Sequence, residues 1–468
     1  MTNDVNWLSA GQLLKAFRKK SLSPVEAARA CLAQISKHDG AINAMVHVDE
    51  ASALKQARAS ERRWMKGAPA GAVDGVPTLI KDLLLVKGWP TLRGSKTVNR
   101  DQDWIHDAPS VARLREQGAV FLGATTTPEF GWKGVTDSPL TGITRNPWTL
   151  ERTPGGSSGG SAAAAAAGYA PLTLGTDGGG SIRIPACFSG IFGHKPSFGR
   201  VPAWPLSPFG SVAHVGPMTR GVADSALMMN VIKGADARDW NGLPPDGVDC
   251  LKAIKGGVAG LRIAYSKTLG YVDVDPEIGA LVDKAVNTLK GLGAKVVKVD
   301  PGFADPAAVF RTIWWSGARL MLASAPPEKL ALLDPALADV VEQSRALSLD
   351  DYLDAQRQRG LLGSHMRQFM ESCDVLLTPT LPIAAFGVGK LSPLDDGTGK
   401  WVNWTPYSYP FNLTQQPAAS VPCGFTRAGL PAGLHIVGRM YDDATVLRVA
   451  AAYEDATNWL ARRPPLAT

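Results

Sequence analysis

The chain has 468 residues, 45% of them hydrophobic and 19% charged, with 49 Lys and Arg against 42 Asp and Glu for a net charge of +7. That composition excludes a disordered chain and supplies the apolar material for a large core. The basic residues are scattered, densest at Arg18-Lys19-Lys20, which argues against the concentrated basic stripe of a nucleic-acid protein.

The first 66 residues read as a helical segment. Ser23-Pro24-Val25-Glu26 is a capping box with proline at the first helical position. It opens a helix to about His38, and a second helix covers residues 50–65. Between Gly71 and Arg220 short apolar runs end in glycine-rich turns. Residues 76–85, 119–123 and 171–175 read as buried strands, separated by helices near 108–117 and 160–169. The stretch 235–260, rich in Gly, Pro and Asp, reads as a surface excursion. Beyond it the pattern predicts a helix over 275–292, a strand over 294–299, a helix over 349–372 and a strand over 374–377. Strands at 419–421 and 433–437 and a helix over 442–454 close the chain. Alternating strands and helices predict the α/β class. Without repeats or a long linker, a single domain over 1–468 is the simplest account, with 1–66 as its helical segment, 71–220 as its core and 221–468 as the remainder.

The cysteines Cys31, Cys187, Cys250, Cys373 and Cys423 are far apart and form no CxxC pair, which argues against a disulfide framework and a structural zinc site. No metal and no cofactor is expected. The N-terminus lacks the succession of regions that marks a signal peptide. No apolar run reaches the roughly 18 residues that span a bilayer, and the Ala-rich stretch 162–170 is too short. The expectation is a soluble cytoplasmic protein with no membrane and no nucleic-acid partner.

Two segments carry the chemistry: Gly155-Gly156-Ser157-Ser158-Gly159-Gly160-Ser161 and Gly175-Thr176-Asp177-Gly178-Gly179-Gly180-Ser181. Glycine there opens backbone conformations closed to other residues and lets a substrate approach the main chain. A serine nucleophile needs a base. No histidine lies in a GxSxG-type elbow, although His194 and His214 follow the second run. Lys81 ends the apolar run Val76-Pro77-Thr78-Leu79-Ile80. An ammonium buried there has two outcomes: an ion pair, with Asp82 as the nearest partner, or loss of its proton, which makes it a general base.

These pieces resemble the signature region of the amidase signature family: Gly75-Val76-Pro77 with Lys81-Asp82, the run Gly155 to Ser161, and Gly175 to Arg183, followed by Pro185, Gly190, Gly193, Lys195 and Pro196. The resemblance is strongest from Gly75 to Arg220 and touches most of the chain. It implies a large α/β/α domain with a central mixed sheet covered by helices, and hydrolysis of an amide through an acyl-enzyme. It makes Ser181 the nucleophile, Ser157 the bridging serine after a cis Gly156–Ser157 bond, and Lys81 the base, while Ser158 is expected to matter much less. The backbone N–H groups of Gly178, Gly179, Gly180 and Ser181 would then form the oxyanion hole. Asp177 and Arg183 read as structural supports of that turn.

The segment Thr126 to Trp132 lines the substrate site in similar proteins, so Phe130 and Trp132 are candidate pocket residues, with Ile184, Trp314 and Trp315. The cluster Trp401, Trp404, Tyr407 and Tyr409 adds aromatic surface. Together they favour a small hydrophobic or aromatic amide as partner. A second reading is the glutamine-hydrolysing A subunit of glutamyl-tRNA(Gln) amidotransferase, similar in its core; such subunits carry Asn after the Lys-Asp pair, where this chain has Leu83. A third, an anion-binding module with phosphate in the glycine runs, finds no GxxxxGK[ST] and no GxGxxG in a βαβ unit. Oligomeric state stays open, with homodimers common among similar enzymes.

Overall fold

In the computed structural model, which describes residues 5–323, 325–393 and 400–467, the strands in chain order are β1 (Met45–Val48), β2 (Pro77–Lys81), β3 (Val120–Thr125), β4 (Asp137–Ser138), β5 (Gly142–Ile143), β6 (Leu172–Asp177), β7 (Phe192–Lys195), β8 (His214–Thr219), β9 (Arg262–Tyr265), β10 (Lys295–Lys298), β11 (Val375–Pro379), β12 (Ala418–Phe425) and β13 (Pro431–Gly438). Eleven form one sheet in the order β1-β3-β2-β6-β8-β7-β12-β13-β11-β9-β10, and β4–β5 form a separate ribbon. β2 runs parallel to β3 and β6, and β9 parallel to β10 and β11, while β8, β7, β12 and β13 pair antiparallel. The fold is therefore α/β with a mixed sheet.

Helices cover both faces of the sheet. Ala28, Cys31 and Ile35 from the helix Pro24–Ile42, Ala53 and Ala57 from Glu50–Met65, and Ala163 and Ala164 from Gly159–Ala166 pack against Leu79, Val120 and Leu122. On the other face Val111, Met228, Val282 and Val446, each from a different helix, belong to one continuous core with Ile80, Phe121, Leu172 and Leu174. Buried from both sides, β2 reads as a continuous apolar run. A third, aromatic core around Phe310, Trp314, Trp401 and Trp404 joins the helices Ala307–Leu322, Pro335–Ser344 and Leu349–Phe369. Among the described residues no helix is long and apolar enough to cross a membrane.

The Ser23 capping box forms as the sequence predicts: its hydroxyl accepts from Glu26 N at 3.1 Å and its N–H donates to the Glu26 carboxylate at 2.8 Å. The strand expected over 76–85 stops at Lys81, where Leu83 N turns back onto the Lys81 carbonyl at 2.7 Å. The parallel register aligns Ile80 with Leu174, so the carboxyl ends of β2 and β6 open on the same sheet edge, where α/β sheets hold their ligands.

Candidate active site

Lys81, the last residue of β2, is fully buried. Its Nζ lies 2.7 Å from Ser157 Oγ, 2.8 Å from Ser158 Oγ and 2.9 Å from Thr176 Oγ1. Burial pushes its pKa well below the ordinary lysine value, with the Asp177 charge partly opposing. Of the two outcomes open to a buried lysine, the ion pair with Asp82 does not form. The Asp82 carboxylate turns away and accepts from Leu92 N at 2.9 Å and Gly94 N at 3.0 Å, and burial raises its pKa to about 7.

The serines reach Lys81 because the first glycine run turns sharply before the helix Gly159–Ala166. The Gly156–Ser157 peptide bond is cis. Thr136 Oγ1 fixes the turn, donating to the Gly155 carbonyl at 2.8 Å and accepting from Gly159 N at 3.1 Å. The helix seats close to the sheet because its residues are small: a Cβ on Gly160 would come within 2.4 Å of Thr126. The Ser158 hydroxyl donates to the Thr176 carbonyl at 3.0 Å, tying the first run to the end of β6. Ser158 N donates to the Ser181 carbonyl at 3.1 Å, tying it to the second.

The second run is organised by Asp177. Its carboxylate receives Gly180 N at 2.7 Å, Ile182 N at 3.1 Å and Asn412 Nδ2 at 2.9 Å, and pairs with Arg183 through Nε at 2.9 Å and Nη2 at 3.0 Å. Burial alone would raise the Asp177 pKa; the charge and hydrogen bonds of Arg183, with Lys195 and Asn412, hold it well below the carboxylate range. Gly180 sits at φ 123°, a backbone region open only to glycine. Its N–H is spent on Asp177, so Gly180 leaves the expected set of four oxyanion donors. Among the described residues no internal acceptor takes the N–H of Gly178, Gly179 or Ser181.

Ser157, Ser181, Thr176 and Gly178 line a cavity of about 480 Å³, a size that holds a small organic ligand. Leu83, Leu84, Phe130, Trp204, Phe209 and Trp314 are part of its apolar wall. Trp314 stacks on Phe209 with ring centroids 3.7 Å apart. It stands where a Cβ on Gly178 would be, 2.6 Å away, so the residue must be glycine for the ring to reach the turn.

The amidase family model matches residues 26–447. The chain belongs to the amidase signature family. It is 37% identical to an acylamidase of Rhodococcus erythropolis, with 98% of each chain covered. It is 36% identical to the A subunit of the glutamyl-tRNA(Gln) amidotransferase of Chloroflexus aggregans, with 99% of each covered. Among solved structures, a bacterial aryl acylamidase of the amidase signature family superposes with a TM-score of 0.91 at 32% identity, covering 97% of each chain. The protein is an amide-hydrolysing enzyme.

In this amidase the predicted pocket residues separate. Phe130 and Trp314 line the cavity; Trp132, Ile184 and Trp315 do not, and the pocket assignment is corrected for all three. Trp132 lies behind Trp314, whose Nε1 donates to its carbonyl at 2.9 Å. Ile184 is core beneath the two turns, against Gly155 and Gly180. Trp315 follows Trp314 in a helix, where successive side chains diverge by about 100°, and meets Lys400 instead. The cluster 401–409 supports from behind: Trp401 packs edge-on against Trp314 and Tyr409 stacks on Phe310.

Several contributors were missed. Ser158 and Thr176 hold the Lys81 amine. Asp239, Trp240 and Asn241, in the stretch read as a surface excursion, line the cavity, as do Arg93 and residues 202–211. His214 also lines it, but its Nδ1 donates to the Val212 carbonyl at 2.8 Å and its Nε2 faces Lys195 Nζ at 3.3 Å. His194 pairs with Asp443. Among the described residues no histidine nitrogen hydrogen-bonds Ser157 or Ser181, and no group of His, Cys, Asp and Glu is placed to hold a metal.

Proposed function

We propose that this amidase hydrolyses a small hydrophobic or aromatic carboxylic amide to the acid and ammonia or an amine, with Ser181 as nucleophile, Ser157 as proton bridge and Lys81 as base. The observation that carries the reading is the buried Lys81 amine, 2.7 Å from Ser157 Oγ and without an ion-paired carboxylate among the described residues, beneath a cavity lined by both serines. A neutral amine has two N–H groups and one lone pair. The Ser158 hydroxyl spends its hydrogen on the Thr176 carbonyl, so it accepts from Lys81. With Thr176 Oγ1 accepting the second N–H, the lone pair is left for the Ser157 O–H.

In the reaction Lys81 takes the Ser157 proton as Ser157 takes that of Ser181, and Ser181 Oγ adds to the amide carbon. The charge on the carbonyl oxygen is received by N–H groups among Gly178, Gly179 and Ser181, where losing one such donor typically costs about 3–4 kcal/mol. The proton returns through Ser157 to the leaving nitrogen, the C–N bond breaks and the amine departs. Water then cleaves the ester by the same relay and restores Ser181. The enzyme works on a small molecule in the cytoplasm, without cofactor, nucleic acid or membrane, alone or as a homodimer. The single sheet drawn from residues 45–438 supports reading the chain as one domain.

The alternative is glutamine hydrolysis as the A subunit of an amidotransferase, favoured by the near full-length similarity to one such protein. Leu83, Leu84, Phe130 and Trp314 give the cavity an apolar body, and Asp239, the carboxylate in its wall, already receives Ala203 N and Asn241 N, which disfavours glutamine's α-ammonium and favours a substrate without one. The purified lone chain is expected to hydrolyse anilides or alkyl amides faster than glutamine; the reverse order assigns it to the amidotransferase. A fluorophosphonate is expected to label wild-type protein at Ser181 and to leave Ser181→Ala unlabelled.

The contacts of Ser158 give a graded prediction. Ser158→Ala removes one of the two acceptors that orient Lys81 but leaves the proton path intact. Its kcat is expected to fall about 5- to 30-fold, the cost of about one to two kcal/mol of misorientation, far less than the loss at Ser181. Steady-state kinetics on one anilide checks the order.

A further inference from the structure

Arg93 lines the same cavity as Ser157 and Ser181. Its guanidinium carries five N–H donors and no acceptor capacity. Among the described residues no carboxylate, carbonyl or hydroxyl oxygen accepts from it, although much of the side chain is withdrawn from solvent and burial lowers its pKa, with Asp82 opposing. A guanidinium removed from water without acceptors is costly. The other charged groups in the wall are already occupied. Asp239 receives Ala203 N at 2.8 Å and Asn241 N at 2.9 Å, and His214 is held by Val212 and Lys195.

The loop that presents Arg93 is firmly built. Asp82 grips the residues on both sides of it, Leu92 and Gly94, through their N–H groups. Arg93 has φ 57° and Phe130 φ 52°, both in the left-handed region, and Phe130 N donates to the Arg93 carbonyl at 2.7 Å. Non-glycine residues in that region cost of order 1–3 kcal/mol each and persist only where the surroundings impose them. Both side chains line the cavity. Leu83, Leu84 and Phe130 make the neighbouring wall apolar, which strengthens a forked guanidinium–carboxylate contact.

We infer that Arg93 determines specificity by binding a carboxylate on the substrate, so that the preferred amides carry an acidic group apart from the scissile bond, across an apolar or aromatic spacer. This rests on the amidase reading of the same site and refines its substrate class.

Calorimetry on Ser181→Ala protein tests it without turnover, using two matched pairs. In the first the acid is on the amine half, 4-acetamidobenzoate against N-(4-methylphenyl)acetamide. In the second it is on the acyl half, N-phenylsuccinamate against N-phenylbutanamide. One acid is expected to bind roughly 10- to 100-fold more tightly than its neutral partner. Adding Arg93→Met should erase that ratio, and Arg93→Lys, which keeps the charge but not the fork, should retain only part of it. Equal or weaker binding of both acids overturns the inference, as does a preference that survives Arg93→Met. If Arg93→Met does not fold, an acid preference unchanged in Arg93→Lys overturns it. Turnover of all four amides by the unaltered chain tests the proposed function separately: turnover without acid preference removes only the role of Arg93, and acid preference with none of the four turned over removes only the proposed substrate class and relay.

Discussion

Ser181→Ala is expected to lower kcat about 10⁴- to 10⁶-fold, and Lys81→Met to fall in the same range, because members of a catalytic relay act as a unit. Ser157→Ala breaks the only link proposed between them and belongs to the same class. The double variant Ser181→Ala/Lys81→Met should be no worse than either single one. The relay also sets the pH profile. Lys81 works as the neutral amine, and burial moves its pKa well below the ordinary value. Activity therefore rises with pH and levels off below the range of free lysine, about 10.4. A profile that is still climbing through the free-lysine range near 10.4 with chemistry limiting, or a Lys81→Met enzyme within tenfold of wild type, removes the relay.

The same burial has a stability consequence with a definite sign. A lysine whose folded pKa is lowered binds fewer protons folded than unfolded, so stability rises with pH between the two values. Lys81→Met should therefore gain most over wild type at or below the folded pKa of Lys81, and the gain should shrink toward pH 10.

How legible these features were in the sequence depends on the range of the interaction. Lys81 stood out because a charged residue ending a fully apolar run needs an explanation. The serines stood out because glycine-serine runs between strands are poor formers of regular structure. The capture of Gly180 N by Asp177 was also local: Asp side chains commonly bind an N–H a few residues ahead, and Asp177-Gly178-Gly179-Gly180 invites it. Strand β8 was missed because Gly216 and Pro217 interrupt its run, although Pro217 is paired opposite Leu174, and proline is rare inside a sheet. The Ser158 and Thr176 contacts to Lys81 depend on two strands and a helix start converging across 95 residues of chain. The cavity wall at 202–211 has no periodicity to betray it. Trp314 and Trp315 were equivalent in sequence, and only the direction of their helix assigned one to the cavity.

Arg183→Met is the variant expected to damage the fold most. Arg183 and Asp177 are both fully buried, and removing one partner of such a pair typically costs about 3–5 kcal/mol because the other charge stays behind. Asp177 would keep Gly180 N, Ile182 N and Asn412 Nδ2, which favours the lower end. Asn412 Oδ1 and the Ser408 carbonyl, which receive Arg183 at 2.6 Å and 3.0 Å, would lose their donor. The pH dependence separates this mechanism from a simple packing loss. In wild type the depressed Asp177 pKa contributes stability that is complete above the unfolded value, about 3.9, and is lost as pH falls through the folded value. Without Arg183 the desolvation of Asp177 is opposed by less charge, its pKa moves upward, and that contribution shrinks. The gap between the two proteins should therefore be smaller near pH 4 than near pH 7. Urea denaturation at both values decides it: a gap that is constant with pH assigns the loss to packing alone.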